Sequence, residues 1–92
     1  MAAEVTGNNV NVRSVTNTQG KVVFQSNQGY ELIIGKTPIK DSTGQDWYQV
    51  FYQYDADGYY LERVDVPAYI VGRFLSIKPL SEFDKQMLDF YR

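Results

Sequence analysis

The sequence predicts an all-β domain, a small antiparallel barrel or sandwich over residues 8–77, followed by a C-terminal amphipathic helix over about 81–91. Three observations carry this expectation. Short β-like runs separated by turn residues fill the chain up to residue 77, with little helical patterning between them. Asp57-Gly58 lies between two aromatic-rich runs and is a strong hairpin signal, because both residues tolerate the positive φ of tight β-turns. The apolar period changes from two to 3.6 only after Pro79.

The elements follow in order. Residues 1–7 precede the first alternating run and are expected to be a disordered tail. Asn9-Val10-Asn11-Val12-Arg13 alternates with period two, as a half-buried strand does. Gly20-Lys21-Val22-Val23-Phe24 follows the polar loop Thr16-Asn17-Thr18-Gln19, and Tyr30-Glu31-Leu32-Ile33-Ile34 follows Asn27-Gln28-Gly29. The polar stretch from Lys40 to Asp46 precedes an aromatic strand from Trp47 to Tyr54. After the Asp55-Ala56-Asp57-Gly58 turn, Tyr59 to Val66 returns antiparallel. Pro67 ends that strand, since it lacks the N–H the ladder needs.

In the last segment Phe83, Met87 and Phe90/Tyr91 recur at helical spacing, and Leu88 widens the stripe. Ser81 is the expected N-cap, and Asp84 three residues on supplies an aspartate capping box. Glu82 and Asp84 in the first turn and Arg92 in the last suit the helix dipole. About ten residues of helix are marginal alone and need a surface to dock on. That stripe covers an open end of the barrel, or it joins a partner: another copy of the chain or a neighbouring domain.

Composition narrows the function. Ninety-two residues make one domain, which buries roughly 60 to 65% of its unfolded surface and holds one modest core without a deep catalytic cavity. Net charge is −2 with Lys and Arg scattered singly, so no basic stripe exists and nucleic acid is not an expected partner. The chain has no Cys and no His, which excludes thiol and Ser-His nucleophiles, imidazole acid–base chemistry and N/S-ligated zinc. The opening MAAEVTGNN has neither the basic nor the apolar region of a signal peptide, and the apolar runs are far too short for a membrane span, which leaves a cytoplasmic protein or a domain of a longer secreted chain.

Two sharper chemistries fit poorly. Aligning Gly58 with the glycine of an EF-hand loop puts Gln53 at the first ligand position and Val64 at the last, where Asp and Glu are required. Glu31, Glu62 and Asp65 lie on candidate strands, but nothing marks them as the paired carboxylates of a glycosidase. No metal, cofactor or catalytic residue is expected, and the chain reads as a non-enzyme.

Three stretches in order resemble the bacterial SH3 (SH3b) family. Val10-Asn11-Val12-Arg13-Ser14 is similar to its opening strand, Asp46-Trp47-Tyr48-Gln49-Val50 to its central W-Y strand, and Ala68-Tyr69-Ile70-Val71-Gly72-Arg73-Phe74-Leu75 to its closing segment. Gly29-Tyr30-Glu31-Leu32 also suits a strand between the first two. The resemblance implies an SH3-like barrel that targets cell-envelope hydrolases to peptidoglycan or acts as an accessory domain within them, here as a domain of a longer exported, extracellular or envelope protein. Trp47 and Tyr69 are 22 positions apart, more than the family usually has. The excess implies an elongated hairpin over about 47–66 that projects from the barrel. Ala68 replaces the usual glycine, and the C-terminal helix lies outside the resemblance.

The aromatics then divide. Tyr48 and Val50 share one face of their strand and are expected to be core, with Trp47 and Phe51 opposite. By the resemblance, Trp47 lies beside the turn bearing Phe74, where SH3-like domains place a ligand groove that Tyr69 lines or supports; Trp47 is either exposed there for binding or packed. Arg13 is either a solvated charge or a groove residue. Asn8, Asn9, Asn11 and Asn17 can hydrogen-bond a sugar or peptide, though turn chemistry accounts for most of them. Tyr52, Tyr54, Tyr59 and Tyr60 belong to the projecting hairpin, where they stabilise the ribbon by cross-strand pairing or offer a binding surface. The candidate ligand-binding residues are thus Trp47, Tyr69, Phe74, Arg13, Tyr52, Tyr54 and Tyr59, for a wall glycopeptide or peptide. Phe83, Met87 and Phe90 form a candidate face for a protein partner or a second copy.

Overall fold

A computed structural model describes residues 1–55 and 57–90. The expected parts of Ala56 in the acidic turn, Tyr91 in the helix stripe and Arg92 at the helix end lie outside the described residues.

The described residues form nine antiparallel strands and one short C-terminal helix: β1 (Ala2–Val5), β2 (Val10–Arg13), β3 (Val22–Ser26), β4 (Glu31–Ile34), β5 (Ile39–Lys40), β6 (Asp46–Tyr54), β7 (Leu61–Arg63), β8 (Tyr69–Val71), β9 (Leu75–Lys78) and α1 (Glu82–Asp89). A 3-10 turn, Gly72–Phe74, joins β8 to β9. The ladder runs β3-β2-β8-β6-β4-β1-β9, with β5 and β7 also paired to β6. Among the described residues its end strands, β3 and β9, do not pair with each other, so the ladder is open.

β6 organises the sheet. Its first half pairs with β5 on one edge and β8 on the other; its second half pairs with β4 and β7. The alternation rule fails once along it. Ile34 faces Val50 and Ile33 faces Tyr52, which leaves Phe51 as an extra residue in the ladder. This bulge reverses which face each later side chain occupies. Val50 therefore enters a first core with Ala3, Val5, Val10, Val12, Leu32, Ile34, Ala68 and Ile70. Beyond the bulge, Tyr54 enters a second core with Ala2, Ile33 and Leu61, against which Tyr52, Leu80, Met87 and Leu88 pack. The Phe51 ring is exposed and lies over Gly35, where an added Cβ would come within 3.3 Å of it.

Three expectations are corrected here. Residues 1–7 are not a disordered tail: β1 is inserted between β4 and β9, and Ala2, Ala3 and Val5 are all fully buried. Ala2 and Ala3 pack into different cores, so the strand is apolar on both faces and shows no alternation to read. The 47–66 hairpin is not a free ribbon. β4 flanks it, and its return strand is only Leu61–Arg63 before the chain leaves the ladder around Asp65-Val66-Pro67 and re-enters as β8. The helix, finally, packs on the face opposite the first core rather than over a barrel end.

The helix start is as expected. Ser81 accepts from the Asp84 N–H, and Asp84 accepts from the Ser81 N–H. The tight turn at Gly58 has φ 75°, a conformation that costs a side-chain-bearing residue about 1–2 kcal/mol. Asp55 holds this loop by accepting from the N–H groups of Tyr59 and Tyr60.

Candidate functional site

Arg13, Trp47 and Phe74 come together in one cleft of about 240 Å³. Arg13 ends β2, Trp47 lies near the start of β6, and Phe74 closes the 3-10 turn. Because β2, β8 and β6 are neighbours, the three stretches that resemble the SH3b family occupy adjacent strands. Asn8, Asn9, Asn11, Thr18 and Arg73 complete the polar wall. Asn9 takes φ 53°, the left-handed conformation that Asn tolerates better than most residues, and so turns the chain tightly between β1 and β2. Gly7 lets the Phe74 ring close on that turn, since a Cβ there would stand 3.1 Å from the ring. The Arg73 guanidinium lies 4.9 Å from the Phe74 ring centroid, a cation–π stack at the cleft.

Of the two expectations for Trp47, exposed for binding or packed, the structure shows the packed ring. It is 1% exposed, and its indole N–H donates to Oδ2 of Asp41 at 2.8 Å. Period-two alternation correctly puts Trp47 opposite Val50; it says nothing about what covers that face. Asp41 also accepts from the Thr43 hydroxyl and from the backbone N–H groups of Thr43 and Gln45. The hydrogen bonds from Thr43 and Trp47 outweigh desolvation and lower the Asp41 carboxyl from 3.8 to about 2. A loop with Gly44 at φ 86° is thereby tied to the indole. Trp47 holds the cleft up from beneath and offers it only carbon.

The remaining predicted residues go elsewhere. Tyr69 does not line the cleft; it is half-buried on β8, opposite Arg13 and Gln49 in the ladder. Tyr52 is half-buried against the second core. Tyr54 is 3% exposed, and its hydroxyl donates to Asp84 Oδ1 at 2.6 Å. Neither Tyr52 nor Tyr54 presents a free ring to a ligand. Phe83 stacks on Tyr54 at 6.0 Å between centroids and keeps one side in solvent. Burial raises the Asp84 carboxyl, but hydrogen bonds from Tyr54 and Ser81 and the charge of Lys78 prevail, and its pKa is lowered. Burial, then the Asp84 charge, raises the Tyr54 hydroxyl.

A second surface does stand in solvent. Tyr59, Tyr60 and Phe90 are 73%, 71% and 81% exposed, and with Leu61 and Met87 they border an apolar recess of about 410 Å³. Sequence reasoning assigned Tyr59 and Phe90 to separate surfaces, because the bulge that brings the helix beside the hairpin loop leaves no mark in the residue pattern. It also passed over Arg73, Asp41 and the buried state of Asp84; the capping-box spacing was the only signal for the last.

Among the described residues no group of three or more acidic, His or Cys side chains is placed to hold a metal ion, and no helix is long and apolar enough to cross a membrane. No family model, curated protein or solved structure matches the chain.

Proposed function

We propose that this chain is a non-catalytic binding module of the SH3b-like barrel type, which recognises peptidoglycan or another cell-wall glycopeptide within a larger exported, extracellular or envelope protein. One observation carries the reading: Arg13, Trp47 and Phe74, on the three stretches that resemble the family, line a single cleft. An aromatic ring beside amide and guanidinium groups suits a ligand that is part sugar and part peptide. Buried Trp47 supports the cleft, and Phe74 is the ring that contacts ligand. The test is co-sedimentation with purified bacterial cell walls. Phe74→Ala and Asn11→Ala should lose binding while keeping the native circular dichroism spectrum. Wall binding that survives both substitutions would remove the cleft from the account.

The exposed recess bounded by Tyr59, Tyr60, Met87 and Phe90 favours a second reading, a protein-interaction or oligomerisation module working through the hairpin loop and helix. No wall binding, together with a dimeric mass in sedimentation that Phe90→Asp makes monomeric, would select it.

A further inference from the structure

We infer that the cleft between Arg13 and Arg73 binds a carboxylate group, and that the ligand of the proposed wall-binding module is gripped by it. The inference names the ligand chemistry of that module and so rests on the same cleft.

Donors dominate the cleft. Arg13 and Arg73 both line it, and no Asp or Glu does. Among the described residues neither guanidinium has an ion-pair partner. The acidic residue nearest in the adjoining cleft, Asp46, is already paired with Lys40 at 2.9 Å. The amides are committed in one sense. Asn8 accepts through Oδ1 from the Gln28 N–H, and Asn11 accepts through Oδ1 from the Gln25 side chain. Each therefore has one Oδ1 lone pair already used and keeps its whole NH₂ group as a donor. Arg13 spends one N–H on the Gly20 carbonyl and keeps the others. Trp47 gives its only donor to Asp41, away from the cleft.

Two guanidiniums without an ion-pair partner among the described residues, three asparagine carboxamides and the Thr18 hydroxyl thus line a cleft with no Asp or Glu in its walls. The planar guanidinium fork matches a carboxylate with two parallel hydrogen bonds. The stack of Arg73 on Phe74 limits the positions its fork takes, and so reduces the ordering cost of binding.

The test uses backbone and arginine side-chain NMR shifts of the 92-residue chain. Four probes are titrated: N-acetyl-alanyl-alanine as free acid, its C-terminal amide, inorganic phosphate, and soluble muramyl-peptide fragments with free or amidated carboxyls. The free acid should move the Arg13, Arg73 and Asn11 signals and bind roughly tenfold or more tighter than the amide. Arg73→Gln, at an exposed position, should abolish that difference while the amide spectrum stays native, and Arg73→Lys should keep part of it. Equal binding of acid and amide, or shifts with phosphate and not with the acid, overturns the inference. Fragments that bind equally well when amidated sink the carboxylate and leave the wall reading standing. Acid binding without fragment binding does the reverse, and silence from all four overturns both.

Discussion

The Tyr54 hydroxyl donates to Asp84 across 30 positions of sequence, at 2.6 Å and out of solvent, and fastens α1 to β6. The same carboxylate closes the capping box with Ser81. One buried side chain therefore starts the helix and attaches it.

Tyr54→Phe keeps the ring in place and removes only the donor. Hydrogen bonds to charged groups contribute about 1.5–3 kcal/mol, and the chain should lose stability in that range. Asp84→Ala should cost more, because the cap goes with the tether. Urea unfolding followed by far-ultraviolet circular dichroism measures both. Equal midpoints for wild type and Tyr54→Phe would mean that the bond contributes nothing.

The same pair predicts how stability depends on pH. The folded-state pKa of Asp84 is lowered, as is that of Asp41, to about 2. Their contributions are full above the ordinary carboxylate value and disappear as pH falls through the folded values, so stability should drop below about pH 4. Tyr54 is raised; its contribution is full below about pH 10 and is lost as pH climbs towards its folded value. In Tyr54→Phe both the alkaline limb and the acid limb should shrink, the Lys40–Asp46 pair keeping part of the former. Unfolding midpoints measured from acid to alkali would show this.

Trp47 is the chain's single tryptophan, and its burial makes it a reporter. Its emission should be blue-shifted and resistant to acrylamide quenching. Asp41→Ala should partly reverse both, because the loop over the indole loses its anchor. Trp47→Ala should cost about 3–5 kcal/mol, a large part of the stability expected for a domain of this size.

Tyr59→Ser, Tyr60→Ser and Phe90→Ser should each change stability by no more than about 0.5 kcal/mol, since the rings are mostly in solvent. A larger loss in thermal unfolding would assign them a packing role and weaken the interaction reading of that surface.

Much of the β framework was legible because it rests on local rules. β2 and β4 lie within the runs that alternation and turn residues marked, and the Ser81–Asp84 cap follows from spacing alone. β1 was illegible because burial on both faces erases the period-two signal, and because Ala is a poor strand former whose small size is what two cores require. The fate of the tyrosines was illegible for a different reason. A bulge is a property of register between strands, and nothing in residues 46–54 announces that Phe51 falls out of step. For the cleft, the sequence pointed to Arg13, Trp47 and Phe74 together, but not to the loop that covers the indole or to Arg73.

The step at Phe51 also divides the domain's surface by inheritance. Before it on β6, Trp47 lines the cleft and Val50 enters the first core; after it, Tyr52 and Tyr54 turn to the core that the helix covers. Substitutions at Trp47 and at Tyr54 therefore act on different surfaces, and each surface is free to vary without rewriting the other. Deleting one residue at that step would remove this independence, because every later side chain of the strand would exchange inside for outside.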